Sequence, residues 1–289
     1  MIGFNGGLIG KNNPTVSANS IPGVWTSREQ EVGIRANRWA GLAKILDTYP
    51  ATLAYSLRSL RAATANSAVV NVRRSSGSPP TADFTASQIT NGELEAWVGA
   101  GNNGFVTTWY DQSGGTNHAG QSNTALQPRI VNAGVVETEA GKPAIVWPST
   151  AHGLTFAVRL TTVRTYILLA RCSNASLSTE PFLLGDTVDY HYHAGSSTWL
   201  DGSNALAAVR NGDNRLNGTV TNFTITARST VRYIFTMIHT GNASGYRLTQ
   251  DRGTGARSWV GPIQEVIIYT TDQTANRAAI EANINTHYF

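Results

Sequence analysis

The chain holds one cysteine, Cys172, among 289 residues. No disulfide can close within it, and no cysteine-based zinc site can form. Because Cys172 follows the apolar run Tyr166-Ile167-Leu168-Leu169-Ala170, a buried thiol is expected. Charge is scarce too. Charged residues make up 14% of the chain, against about 25% in an ordinary soluble domain. The net charge of +4 is scattered, with Arg73-Arg74 the only adjacent basic pair. Nucleic acid is therefore not an expected partner, since a binder shows a basic stripe or a known module. No apolar run approaches the roughly 18 residues that span a bilayer, so no membrane insertion is expected. Met1-Ile2-Gly3-Phe4-Asn5 lacks the basic start and apolar core of a secretory signal. The reading is a soluble protein made in a cytoplasm.

In place of charge the chain carries Gly, Asn, Ser and Thr, a composition that suits turn-rich β structure. Residues 1–25 are rich in these, broken by Pro14 and Pro22, with spaced apolar anchors Phe4, Leu8, Ile9, Val16, Ile21 and Trp25. Such a stretch buries little apolar area. It reads either as an arm that docks on a partner through Phe4, Leu8, Ile9 and Trp25, or as a loosely ordered terminus. Ser27 with Gln30 forms a capping-box pattern for a short helix to about Trp39. Leu53, Leu57 and Leu60 after Pro50 are spaced as in a second helix.

From Val69-Val70-Asn71-Val72 onward, short β-branched and aromatic runs alternate with turn residues. Strands are expected at 105–109, 129–132, 144–147, 165–170, 190–193, 207–210, 219–226, 232–238, 245–248 and 263–269. Asp201-Gly202, Asn211-Gly212 and Asn217-Gly218 read as hairpin turns. A helix capped by Asp272, with Ala275, Ala279 and Ile284 on one stripe, closes the chain. The fold expected is mainly β: an antiparallel β-sandwich with an N-terminal arm, short N-terminal helices and a C-terminal helix. The division expected is an arm and short helix over 1–40 and the sandwich over 41–289.

Four parts of the chain carry a resemblance. Ala54-Tyr55-Ser56-Leu57-Arg58, Val72-Arg73-Arg74-Ser75-Ser76 and Thr107-Thr108-Trp109-Tyr110-Asp111-Gln112-Ser113-Gly114 with Asn117-His118 together resemble the N-terminal part of the family-54 α-L-arabinofuranosidase catalytic domain, a concanavalin A-like sandwich. Gly141-Lys142-Pro143-Ala144-Ile145 with Gly153-Leu154 is similar to the early hairpin of laminin-G-like jelly rolls. Ile263–Tyr269 with Arg277–Glu281 resembles the closing strand and helix of such domains in phage structural proteins. Gly6-Gly7-Leu8-Ile9-Gly10 with Pro22-Gly23-Val24-Trp25-Thr26 is similar to a leader on phage and cyanophage virion proteins. The resemblance implies a virion structural protein, such as a capsid decoration, tail or fibre component. It would be homo-oligomeric, held to other virion proteins by its arm, and would present a lectin-like face to host-surface glycan. The alternative it implies is an arabinofuranosidase-like glycoside hydrolase.

A glycosidase needs two carboxyl groups flanking its sugar. No Asp-Leu-Glu-Asn-Gly-like strand occurs, and the acidic residues after 150 sit mostly in turn or cap contexts. A non-enzymatic chain with no catalytic residues, cofactor or metal is therefore expected. For ligand binding, Asp111 and Gln112 offer sugar-hydroxyl partners, with Trp109 or Tyr110 as a stacking platform. The structural reading of the same motif is that Asp111 and Ser113 bond their own turn while Arg73 or Arg74 pairs with Asp111. Asp189, His191 and His193 alternate, which on a strand puts them on one face. They can hold a metal or, as the better reading, form a polar strand lining a ligand or subunit surface.

Overall fold

The computed structural model describes residues 44–78, 80–173, 181, 183–251 and 257–289. The expected arm, its anchors Phe4, Leu8, Ile9 and Trp25, and the helix ending near Trp39 lie outside the described residues.

Helix α1 (Ile45–Thr48) precedes β1 (Leu53–Ser56), β2 (Ala68–Arg74) and β3 (Thr81–Thr85). Helices α2 (Ala86–Thr90) and α3 (Glu93–Val98) follow, then β4 (Gly104–Trp109), β5 (Ala119–Gly120) and β6 (Arg129–Asn132). The short strands β7 (Val135–Val136), β8 (Thr138–Glu139) and β9 (Lys142–Pro143) lead to β10 (Ile145–Trp147) and the long β11 (Leu154–Arg171). After β12 (Leu184–Gly185) come α4 (Ala207–Arg210), β13 (Asp213–Leu216) and β14 (Thr219–Val220). The chain ends with β15 (Arg232–Leu248), β16 (Gly261–Tyr269) and α5 (Arg277–Tyr288).

All strand pairings among the described residues are antiparallel. Strands β16, β10, β6, β4, β5 and β11 pair in turn, and β11 pairs back onto β16, so six strands close into a barrel. Strands β15, β13 and β14 extend the sheet outward from β11, and β2 with β3 extends it from β4. The mainly β, antiparallel architecture expected from the alternating runs is what is found, and it is consistent with the jelly roll that the resemblance implies.

Strand parity divides the apolar residues. Tyr166 and Leu168 of β11, Phe235 and Met237 of β15, and Val266 and Ile268 of β16 face the main core with Trp109, Trp147, Trp199 and Trp259. The alternate positions Ile167, Leu169, Ile234, Ile267 and Tyr269 face outward and are covered by Ile280, Ile284 and Tyr288 of α5. These three lie at helical i, i+4, i+8 spacing. Each contributes about 1.5–3 kcal/mol by leaving water. Ala279, expected on the buried stripe, is exposed.

Several local expectations are overturned. Leu53–Ser56 is a strand because all four residues pair with β16, from Leu53↔Ile268 to Ser56↔Glu265. Sheet pairing outweighs their helical spacing. Ala207–Arg210 is a helical turn, and its following Gly212 lies too close to the Ile238 carbonyl for any side chain. Tyr190–His193 is a turn, with His193 N–H donating to the Tyr190 carbonyl at 3.1 Å. Of the three expected hairpins, Asn217-Gly218 links β13 to β14 with φ of 48° and 81°, as a type I′ turn requires. The capping box at Thr85 and Gln88 that starts α2 went unread in the sequence. Cys172 is buried, as expected.

Candidate functional site

The Trp109–Gly114 motif turns out to be a structural joint. Trp109 ends β4 wholly buried, its ring 5.6 Å from that of Tyr55. The Asp111 carboxylate accepts from Ala54 N–H at 3.0 Å, Ser113 N–H at 2.9 Å and Ser113 Oγ at 2.8 Å. Gln112 accepts from Leu60 N–H at 2.8 Å and donates to the carbonyls of Ser56 and Arg58 at 2.8 and 3.0 Å. The ligand roles offered for Trp109, Asp111 and Gln112 therefore give way to stitching the chain after β1 onto the end of β4. Arg73 and Arg74, expected to pair with Asp111, bond elsewhere. Arg73 donates to Gln127 and lies over Phe105, while Arg74 donates to the Trp97 carbonyl and lies over Trp97. Tyr110 is half-buried, donates to Asp83 at 2.8 Å and meets His118 edge-on. Burial and then Asp83 push its hydroxyl up to about 12.

His191 and His193 do not share a face. His193 is buried, with Nε2 3.4 Å from Arg257 Nη1. His191 instead joins a cluster assembled from three distant segments. Pairing of β12 with β15 (Gly185↔Arg247) and of β11 with β15 (Leu160↔Gly245) brings Asp186, Arg159 and Ser244 side by side. Strands β11 and β15 are irregular here, with register shifts between Thr155 and Leu160 and again by Val163. Bulges of this kind re-aim side chains and are common beside sites.

Arg159 is the hub. Its Nε and Nη2 donate to the two oxygens of Asp186 at 2.7 and 2.6 Å, and Nη2 donates to Asp189 Oδ2 at 2.8 Å and Ser244 Oγ at 3.1 Å. Ser244 Oγ donates to Asp186 Oδ2 and lies 3.1 Å from Asp189 Oδ2. Ser244 N–H donates to His191 Nδ1 at 2.8 Å. That bond requires a lone pair on Nδ1, so the neutral ring carries its proton on Nε2. Nε2 in turn lies 3.9 Å from Asp189 Oδ2. The Asp186 side chain is 2% exposed and that of Asp189 is 39% exposed.

Burial alone raises the Asp186 carboxyl, but bonds from Arg159, Ser244 and Thr187 N–H and the guanidinium charge hold it below the usual carboxylate range. Burial pulls His191 down, against the opposing pull of Asp189 and Asp186, and keeps the ring neutral at pH 7. The expectation that no acid pair converges is corrected: donor atoms of Asp186, Asp189 and His191 all lie within 4.8 Å of one another. Such a donor set can in principle hold a divalent ion. Here Arg159 Nη2 already bonds Oδ2 of both carboxylates, so a cation would have to displace the guanidinium. The set does not fit a metal as it stands.

No family model matches the chain, and no curated protein matches it. It is similar to a crystal structure of an arabinofuranosidase complexed with arabinofuranosyl-alpha-1,2-xylobiose, at 16% identity and a TM-score of 0.47, covering 83% of this chain and 63% of that one. The chain thus spans under two thirds of that protein's length. The flat expectation of a non-enzyme does not stand, since its ground was that the acidic residues lie apart in turns and caps, and Asp186 and Asp189 come together with His191. Nothing in these comparisons carries a virion origin. Among the described residues, no helix is long and apolar enough to cross a membrane.

Proposed function

We propose that the chain acts on glycosides, with Asp189 as the carboxylate that meets the sugar and Asp186, Arg159, Ser244 and His191 as the groups that set its position. One observation carries this reading: two carboxylates and a neutral imidazole share a space of 4.8 Å at the end of β12, one carboxylate buried and one open to solvent. Glycoside hydrolysis in general uses two carboxyl groups, one of them a protonated acid. Against the pull of burial, bonds from Arg159 hold Asp186 below the usual carboxylate range, so Asp186 serves as a positioning group and not as that acid. The Asp189 acceptor and the His191 Nε2–H donor, 3.9 Å apart, also fit the neighbouring hydroxyls of a sugar. The Trp109–Gly114 motif adds support through its resemblance to the arabinofuranosidase domain, so α-L-arabinofuranosides are the first substrates to test.

A second reading, glycan adhesion without cleavage, is favoured by Arg159, which ties both carboxylates at once. The phage-particle reading rests on the leader at Gly6–Thr26, outside the described residues, and on the resemblance of Ile263–Tyr269 with Arg277–Glu281 to phage structural proteins, and neither adds anything at this site. The test is hydrolysis of a panel of aryl glycosides, 4-nitrophenyl α-L-arabinofuranoside included, by the full chain and by Asp189→Asn. The expected result is turnover that falls by about 100-fold or more in the variant. Background rates on every substrate would overturn hydrolysis. Glycan-array binding that persists in that case, and is lost in Asp189→Asn, would establish the adhesive reading.

A further inference from the structure

Directly behind His191 in the chain, Tyr192 turns into the protein, and its surroundings contain an unexplained set of polar atoms. Tyr192 is wholly buried, and its ring stands edge-on to two others, Tyr166 at 5.6 Å and His239 at 5.4 Å between centroids. The Tyr166 hydroxyl is satisfied by the Leu183 carbonyl at 2.9 Å. Among the described residues, the Tyr192 hydroxyl has no hydrogen-bond partner, nor does His239 Nε2, in a residue 1% exposed. A third such atom is Asn214 Oδ1. Asn214 pairs with Met237, two residues from His239 on β15, so the register sets Asn214 and His239 as diagonal neighbours. Its Nδ2 is already used on the Val209 and Arg210 carbonyls.

The hydrogen-bonding roles of the three atoms are fixed. His239 Nδ1 lies 3.1 Å from the Val163 carbonyl, a bond only an Nδ1–H can make, which leaves Nε2 as an acceptor. Asn214 Oδ1 is an acceptor and Tyr192 Oη–H a donor. Leaving three buried polar groups unpaired is unfavourable, because each forfeits its hydrogen bonds to water. We propose that Tyr192 Oη, His239 Nε2 and Asn214 Oδ1 form an internal site for one neutral, water-sized molecule that donates two hydrogen bonds and accepts one. Water has this complement. A metal cation is disfavoured, because no carboxylate is in the set and an isolated buried charge is costly. Burial also keeps both side chains neutral, the Tyr192 hydroxyl well above its usual value and His239 down to about 4. The bound molecule would tie the 186–193 segment, and with it Asp189 and His191, to β13 and β15.

The test is thermal unfolding of full-length Tyr192→Phe and His239→Gln, with a high-resolution crystal structure of the unmodified chain. Loss of a partnered hydroxyl lowers Tm by about 2–4 °C in Tyr192→Phe, and the crystal shows a water within hydrogen-bond reach of Oη and Nε2. A Tm that is unchanged or raised in Tyr192→Phe overturns the site, because deleting an unpaired buried hydroxyl is neutral or stabilising. So does a crystal in which Oη bonds Nε2 directly with no water between. Neither readout uses a glycoside, so the outcome is separate from that of the proposed activity.

Discussion

A buried carboxylate survives only when its lone pairs are filled, and Asp186 fills its own from Arg159, Ser244 and Thr187. The arginine that neutralises Asp186 also holds Asp189 at the surface. A buried ion pair thereby positions an exposed group. His239 offers a prediction of a different kind at this scale. Burial first, opposed by the Val163 carbonyl and assisted by the Arg164 charge, lowers it from 6.5 to about 4. Between those values the unfolded chain binds a proton that the folded chain refuses. Stability is therefore full above pH 6.5 and declines as pH falls towards 4, by about 3 kcal/mol in all. Urea unfolding across that range should show this slope, and His239→Gln should flatten it. An equal slope in the variant would assign the effect elsewhere. None of this was legible beforehand. His191 and Asp189 stood out by their alternation, but Arg159 and Ser244 are 85 residues apart, and no local signal links them or assigns Asp186 a partner.

At the scale of elements, the outer face of β16 shows how the closing helix is held. Glu265 accepts two bonds from Arg58 at 2.7 and 2.8 Å, with Ser56 Oγ at 2.9 Å and the Tyr288 hydroxyl at 3.1 Å completing its shell. Arg58→Ala, which leaves Glu265 charged and buried, is expected to cost about 3–5 kcal/mol. The double change Arg58→Met with Glu265→Leu should cost much less, because no charge is stranded. Chemical denaturation of both variants checks the ordering. Strand runs such as Arg129–Asn132 and Ile263–Tyr269 were readable because alternation or full burial is written into consecutive residues. Leu53–Ser56 and Ala207–Arg210 were misread because their state is set by distant partners: β16 for the first, and the close approach to β15 for the second. The Asn217-Gly218 hairpin was readable from two residues, since only they satisfy two successive positive φ values at low cost.

At the scale of the whole molecule, one closed barrel carries two separate pieces of architecture. The Trp109–Gly114 motif fastens β1 to β4 inside the fold, while the Asp186–Asp189–His191 cluster lies where β11, β12 and β15 meet. The motif belongs to the scaffold: its residues are interior, and it pointed to the fold and away from the Asp186–Asp189–His191 cluster. The proposed function stands or falls on where a sugar sits. Crystals of Asp189→Asn soaked with an arabinofuranosyl oligosaccharide measure that directly. The proposed function predicts a sugar ring with hydroxyls in hydrogen-bond reach of residue 189 and His191 Nε2. A sugar ordered elsewhere on the barrel, with the cluster untouched, would contradict it.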